Sequence, residues 1–279
     1  MVKAKKQYGQ NFLIDKSVLA KIIQAIPKEM NNIIEIGPGL GDLTQELLKI
    51  SQVKAYEIDN DLIPILKKKF QKELECGKFN LIHQDASEAF NPSLDEKPYF
   101  LVANLPYYVA SHIILKALED KNCLGLIVMV QREMAEKFCA KEGNSEFSSL
   151  GVLSAMICER KMLFDVDPQC FNPPPKVMSA VMSLIKTKDF DELCEIENFK
   201  NFLKDCFKAP RKQLLGNLKT YKAKVLEVLS TLGLKENIRP HEICVDSYLK
   251  IYDKLKDEYG RKQRDKQKRT KSELKFKKQ

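Results

Sequence analysis

Apolar residues along the first half of the chain fall in short runs, separated by stretches of helical spacing. The runs at 33–36, 53–57, 79–83, 99–103 and 124–130 are β-branched or apolar and predict strands. Between them the spacing predicts helices over 42–50, 61–75, 111–119 and 132–141. Such alternation builds an α/β fold, a mainly parallel sheet covered by helices. Later runs at 150–163 and 177–186, split by the proline-rich 171–176, predict two further strands joined by a long connection. After the acidic stretch 189–197 the pattern changes. Phe199, Phe202, Leu203, Cys206 and Phe207 share one helical face, no strand-like run follows, and a small helical domain is expected. Residues 260–279 are too charged and too poor in apolar side chains to bury a core, so a disordered tail is expected. The implied domains are 1–188, 189–259 and 260–279.

Composition narrows the setting. The eight cysteines form no CxxC pair, and the histidines at 83, 112 and 241 are too scattered to complete a zinc motif. Scattered thiols suit a reducing compartment. The first residues lack the apolar core of a signal peptide, and no run approaches the roughly 18 apolar residues of a membrane span, so a cytoplasmic protein without membrane contact is expected. The net charge of +9 is concentrated. Residues 260–279 hold ten Lys or Arg against Asp265 and Glu273, so +8 lies there. A basic face elsewhere must therefore be local. Lys3, Lys5 and Lys6 form one cluster, and Lys200, Lys204, Lys208, Arg211, Lys212, Lys219, Lys222 and Lys224 form another against Asp205 alone. Both suit phosphate contacts.

The chemistry is placed at the ends of the predicted strands. Asn104, Leu105, Pro106 and Tyr107 close the run 99–103. A carboxamide, a carbonyl held before a proline and an aromatic ring are what holds a planar base by its exocyclic amine, which points to nucleobase-amine methylation. Upstream, residues 35–41 read EIGPGLG. This is not the GxGxxG of a pyrophosphate site, because the third glycine comes one residue early. Its glycines let the backbone approach a ligand, and a ligand without phosphate, such as S-adenosylmethionine, needs that approach but no anion clamp. Glu57, twenty positions after Gly37, is placed to accept ribose hydroxyls, and Asp85 to accept from the adenine amine of the same cofactor. Singly, these read equally as a tight turn or capped strand ends. Together, Gly37, Glu57, Asp85 and Asn104 close successive strands on the carboxyl edge of one sheet, where ligands of open α/β sheets bind.

With these motifs the chain resembles the ribosomal RNA adenine N6,N6-dimethyltransferases of the KsgA type, within the class I S-adenosylmethionine-dependent methyltransferases. Shared elements are GQNFL at 9–13, EIGPGLG, NLPY, Gln131 with Glu133, FNPPPKV at 171–177, PRKQLLGNL at 210–218, LGL at 232–234, and Arg239 with Pro240. The resemblance implies a Rossmann-like, mostly parallel seven-stranded sheet with a small all-helical C-terminal domain. It implies S-adenosylmethionine held by Asn11, Leu13, Gly37, Glu57, Asp85 and Asn104. It further implies a monomer that dimethylates two adjacent adenines near the 3′ end of small-subunit rRNA in a pre-ribosomal 30S particle, gripped by the helical domain with Arg211 and Lys212. Tyr107 offers a stacking ring for the flipped adenine, and Phe171, beside the stiff prolines 173–175, is expected to close the other face.

Three departures from the family pattern fall on substrate contacts: Ala103 replaces the usual glycine, Tyr108 a common Asn, and residues 147–151 read FSSLG where YGRLS is frequent. A large-subunit rRNA methyltransferase of the macrolide-resistance type shares the chemistry, although the LGL and Arg-Pro elements favour the small-subunit branch. A non-catalytic RNA-binding assembly factor keeping the fold is a third reading. The basic tail reads equally as an RNA-gripping arm or a solubilising end.

Overall fold

The computed structural model describes Lys5 and residues 8–276, with side chains through Arg261. Lys3 and Lys6 of the N-terminal basic cluster lie outside the described residues. The strands are β1 (Phe12–Leu13), β2 (Asn32–Ile36), β3 (Gln52–Glu57), β4 (Phe79–His83), β5 (Tyr99–Asn104), β6 (Cys123–Gln131), β7 (Cys158–Val166), β8 (Phe171–Asn172) and β9 (Ser179–Lys186). The α-helices are α1 (Lys16–Ala25), α2 (Asp42–Ile50), α3 (Ile63–Lys69), α4 (Gln71–Glu75), α5 (Ala86–Ala89), α6 (Ala110–Glu119), α7 (Arg132–Cys139), α8 (Ser149–Ile157), α9 (Ile196–Cys206), α10 (Leu214–Asn217), α11 (Lys222–Thr231) and α12 (Val245–Phe276). The chain divides into two compact units, Met1–Cys139 with Ile157–Asp189, and Ala140–Met156 with Phe190–Gln279.

The first unit holds a seven-stranded sheet in the order β4-β3-β2-β5-β6-β9-β7. The strands β4, β3, β2, β5 and β6 run parallel, and β9 is antiparallel to both β6 and β7. All of β5 except Asn104 is buried, which is why its sequence is a continuous apolar run rather than an alternating one. Each such Val, Leu or Phe contributes about 1.5–3 kcal/mol by leaving water. The crossovers leave β2 and β5 in opposite directions along the sheet, so a crevice opens between their carboxyl ends.

Two sequence expectations change here. The helix foreseen over 61–75 breaks at Phe70 (φ −117°, ψ 33°), whose ring is buried edge-on against Phe79 at 5.3 Å. The strand foreseen over 150–163 is instead α8 followed by β7. Its first half, LGVLSAMI, is apolar without alternation, and such a run fits a buried helix as well as a strand. The proline-rich connector also begins as a strand. β8 pairs antiparallel with β1, Phe12 opposite Asn172 and Leu13 opposite Phe171.

In the second unit α9 buries Phe199, Phe202, Leu203 and Cys206, as the helical spacing foretold, whereas Phe207 caps the helix and is half-buried. The Phe199 and Phe202 rings meet Tyr252 at 5.1 and 5.6 Å, and the Tyr259 hydroxyl donates to Asp205 Oδ2 at 2.7 Å. Residues 140–156 group with this unit rather than with the rest of the expected domain 1–188. Gly143 N donates to the His241 carbonyl at 2.8 Å, and Phe147 is fully buried. The expected disordered tail differs as well, because α12 continues to Phe276. Lys, Arg, Gln and Glu cannot build a core but are good helix formers, and no proline follows Pro240. Among the described residues no helix is long and apolar enough to cross a membrane.

Candidate active site

The carboxyl edge of the parallel strands carries a pocket lined wholly from the first unit. Its floor is the turn between β2 and α2. Gly37, Gly39 and Gly41 all have positive φ (69°, 60° and 80°), a conformation that costs other residues about 1–2 kcal/mol each. The three differ in what surrounds them. A Cβ on Gly41 would stand 2.5 Å from the Phe70 ring, whereas one on Gly37 would meet nothing within 4 Å and would occupy the pocket itself. Both ends of this turn are fastened underneath, where Thr44 Oγ1 donates to the buried Glu35 at 2.6 Å. Burial raises the Glu35 carboxyl to about 8, against the opposing bond from Thr44.

Glu57 ends β3 and is 3% exposed. Its Oε2 accepts from Gly39 N at 3.2 Å and its Oε1 from Asp59 N at 2.8 Å, so the carboxylate is held rigidly against the glycine turn. Each oxygen keeps a second lone pair for a ligand hydroxyl. Burial raises its pKa, partly offset by those backbone bonds. Asp85 follows β4 and caps α5, its Oδ1 accepting from Ser87 N at 2.8 Å. Capping uses one oxygen and fixes the rotamer, leaving the other for a donor such as an adenine amine.

Asn104 closes β5, and its Nδ2 donates to the Asn11 backbone carbonyl at 3.0 Å. With the amide nitrogen committed, the side-chain oxygen remains as an acceptor. Leu105 is buried, and its N donates to the Met129 carbonyl at 3.1 Å. The Tyr107 hydroxyl shares a 2.6 Å hydrogen bond with Ser179 Oγ at the start of β9, which fixes the ring. Gly37, Glu57, Asp85, Asn104, Leu105, Pro106 and Tyr107 all line the pocket, as do Asn11 and Leu13.

Phe171 is placed otherwise than expected. It does not line the pocket, is 3% exposed, and sits in the same apolar cluster as Leu13, Val166 and Val181. Pairing of β8 with β1 turns it into the core, so it offers no face to a base. Aromatic residues that do line the pocket, and to which the sequence assigned no such role, are Tyr8, Phe12, Tyr56 and the 63%-exposed Tyr108. Gln10 stands in the sequence only as part of the GQNFL motif. In the structure it lines the pocket and binds Asp59, a residue whose signal was its place two positions after Glu57 on the same strand edge.

Nothing in this donor set suits a phosphate, since the turn offers open backbone beside two carboxylates. A ribose diol and an adenine amine fit it, which is the cofactor half of a class I methyltransferase. The chain belongs to the ribosomal RNA adenine dimethylase family, whose sequence model matches residues 1–257. It is therefore an rRNA adenine dimethyltransferase with S-adenosylmethionine as methyl donor. A ribosomal RNA small subunit methyltransferase A of Campylobacter jejuni (strain RM1221) is 99% identical over 266 residues, covering 95% of this chain and 100% of that one. Among solved structures, a dimethyladenosine transferase from Plasmodium falciparum superposes with a TM-score of 0.74 at 26% identity, covering 89% of this chain and 98% of that one. The 23S rRNA methyltransferase ErmE does so with a TM-score of 0.68 at 25% identity, covering 88% and 100%.

Proposed function

We propose that this chain dimethylates the N6 amines of two adjacent adenines near the 3′ end of small-subunit rRNA, acting as a cytoplasmic monomer on a pre-ribosomal 30S particle. The observation that carries the reading is a single pocket lined by Gly37, Glu57 and Asp85 and by residues 104–107 together, with the Asn104 amide nitrogen committed to the Asn11 carbonyl. The small-subunit assignment is supported by the relatives that share most of the sequence.

Gly37, Glu57 and Asp85 would hold S-adenosylmethionine, with Asn11, Leu13 and Asn104 lining the same pocket. When bound, the cofactor supplies an electrophilic methyl group on a sulfonium. Adenine N6 is a poor nucleophile because its lone pair is delocalised into the ring, so positioning must supply most of the rate. The Asn104 oxygen and the Leu105 carbonyl accept from the two amine hydrogens, favouring a pyramidal nitrogen with its lone pair free. Pro106 biases Leu105 to an extended backbone, which directs that carbonyl. Tyr107, held by Ser179, stacks on the flipped base and returns about 1–3 kcal/mol of the unstacking cost. No early general base is required, because the amine proton becomes acidic only once the nitrogen carries the new methyl group. Arg211 and Lys212 supply phosphate contacts to the rRNA.

The test offers labelled S-adenosylmethionine with unmethylated small subunits, large subunits or free rRNA, followed by digestion to nucleosides. Dimethyladenosine from small-subunit RNA is expected. Label confined to large-subunit RNA would transfer the chain to the second specificity.

A further inference from the structure

A buried carboxylate with no part in the chemistry above holds the segment that carries Asn11. Asp59 is 1% exposed. Its Oδ1 accepts from the Lys5 ammonium at 2.6 Å and its Oδ2 from the Gln10 side-chain amide at 2.8 Å. Lys5 N donates to Gln10 Oε1 at 2.8 Å, which orients that amide in turn. A buried carboxylate is costly unless it is paired, so Asp59 holds both partners in place while they neutralise it. On its other side, Asp59 N donates to Glu57 Oε1, the carboxylate that also holds Gly39. The residue after Gln10 is Asn11, whose carbonyl receives Asn104 Nδ2. Hydrogen bonds and one peptide step thus run from Glu57 through Asp59 and Gln10 to Asn104.

The bond between Asn104 and Asn11 has a directional consequence. The two ends of a carboxamide are nearly equal in size, and only hydrogen bonding decides which way it points. A backbone carbonyl is an acceptor only, so beside Asn11 the amide nitrogen must face it and the oxygen must face away. An Asn104 turned the other way would present N–H groups to an amine that also presents N–H groups.

We infer that Asp59 is a positioning residue for methyl transfer: through Gln10 it seats the Asn11 carbonyl that turns the Asn104 oxygen toward the target amine. This rests on Asn104 being the acceptor of the amine hydrogens. Lys5 neutralises the anchor, and Glu57 ties it to the half of the pocket that holds the methyl donor. Asp59 holds its proton less tightly than an ordinary carboxyl. Burial works against this, but the bonds from Lys5 and Gln10 outweigh it.

The experiment compares Gln10→Leu, Asp59→Asn, Lys5→Met and Lys5→Arg in the full chain. It measures single-turnover transfer to small subunits at saturating cofactor, KM for the particle, thermal stability, and the Asn104 side-chain amide resonances in the cofactor-free protein, assigned through their loss in Asn104→Asp. Gln10→Leu and Asp59→Asn are expected to slow transfer at least ~10-fold, with KM changed less than about twofold. Their Asn104 amide protons should exchange faster. The Gln10→Leu/Asp59→Asn double variant should be no slower than Asp59→Asn alone, Lys5→Met should be intermediate, and Lys5→Arg should match the parent. Unchanged transfer in Gln10→Leu overturns the inference, as does a loss that follows thermal stability while the Asn104 amide signals stay as in the parent. Should Asp59→Asn not fold, Gln10→Leu decides alone. A parent chain that methylates no adenine would overturn the underlying reading instead, and the amide resonances would still report whether Asp59 orients Asn104.

Discussion

Glu35 is a buried group that fastens the glycine turn from within its own strand. It is 1% exposed, bonded to Thr44, and its carboxyl is raised to about 8 by burial. Below about pH 4.5 the group is protonated whether the chain is folded or not. Between 4.5 and 8 the unfolded chain releases the proton and the folded one keeps it, so its contribution to stability shrinks as pH rises and levels off above 8. Glu35→Gln, which keeps the hydrogen-bonding shape and cannot ionise, should therefore gain on the parent across that window. Urea unfolding at pH 5 and pH 8 checks this, and a parallel pH dependence in both proteins would refute it. At this scale the sequence was most legible where a residue's neighbours are its own strand. Gly37, Glu57, Asp85 and Asn104 line the pocket because each ends a strand or follows one within two residues. Phe171 does not, because whether a ring beside a proline run faces a ligand or the core depends on a partner strand at the other end of the unit.

Among elements, the glycine turn between β2 and α2 separates stability from binding within five residues. At Gly41 an added methyl meets Phe70 at 2.5 Å on top of the positive φ, and at Gly37 it meets open pocket. Gly41→Ala should cost about 2 kcal/mol or more of stability, with cofactor affinity changed only as far as folding is. Gly37→Ala should cost about 1–2 kcal/mol of stability from its backbone alone and weaken cofactor binding out of proportion to that loss. Denaturation and calorimetric titration of both variants distinguish them, and equal losses of affinity would contradict the assignment. The strands β2 to β6 were readable almost to their ends, and in β5 and β6 burial on both faces of the sheet writes a continuous apolar run. α8 was not, because LGVLSAMI offers no polar spacing to betray a period. β1 and β8 were invisible for another reason. Two residues carry no periodicity, and only pairing makes them strands.

For the whole molecule, charge and fold are separate matters. The pocket of the sheet unit is lined by placed carboxylates and carbonyls, while +8 of the +9 sits after Tyr259. Ending the chain at Gly260 should leave cofactor affinity unchanged, weaken binding to RNA of any sequence, and flatten its dependence on salt, since each phosphate that the tail no longer neutralises lowers the slope by about 0.7–0.9. Filter binding between about 50 and 200 mM salt, the range over which such charge pairing acts, measures it. An unchanged slope would make the basic helix a solubilising extension. The pairing of β1 with β8 has a consequence in time. The rim formed by Phe12 and Leu13 waits for Phe171 and Asn172, which leave the ribosome many seconds later at roughly 5–20 residues per second. A nascent chain of this enzyme therefore has its glycine turn and its NLPY long before it has a closed pocket, and a newborn copy cannot begin work on ribosomal RNA until its sheet domain has been synthesised almost to the end.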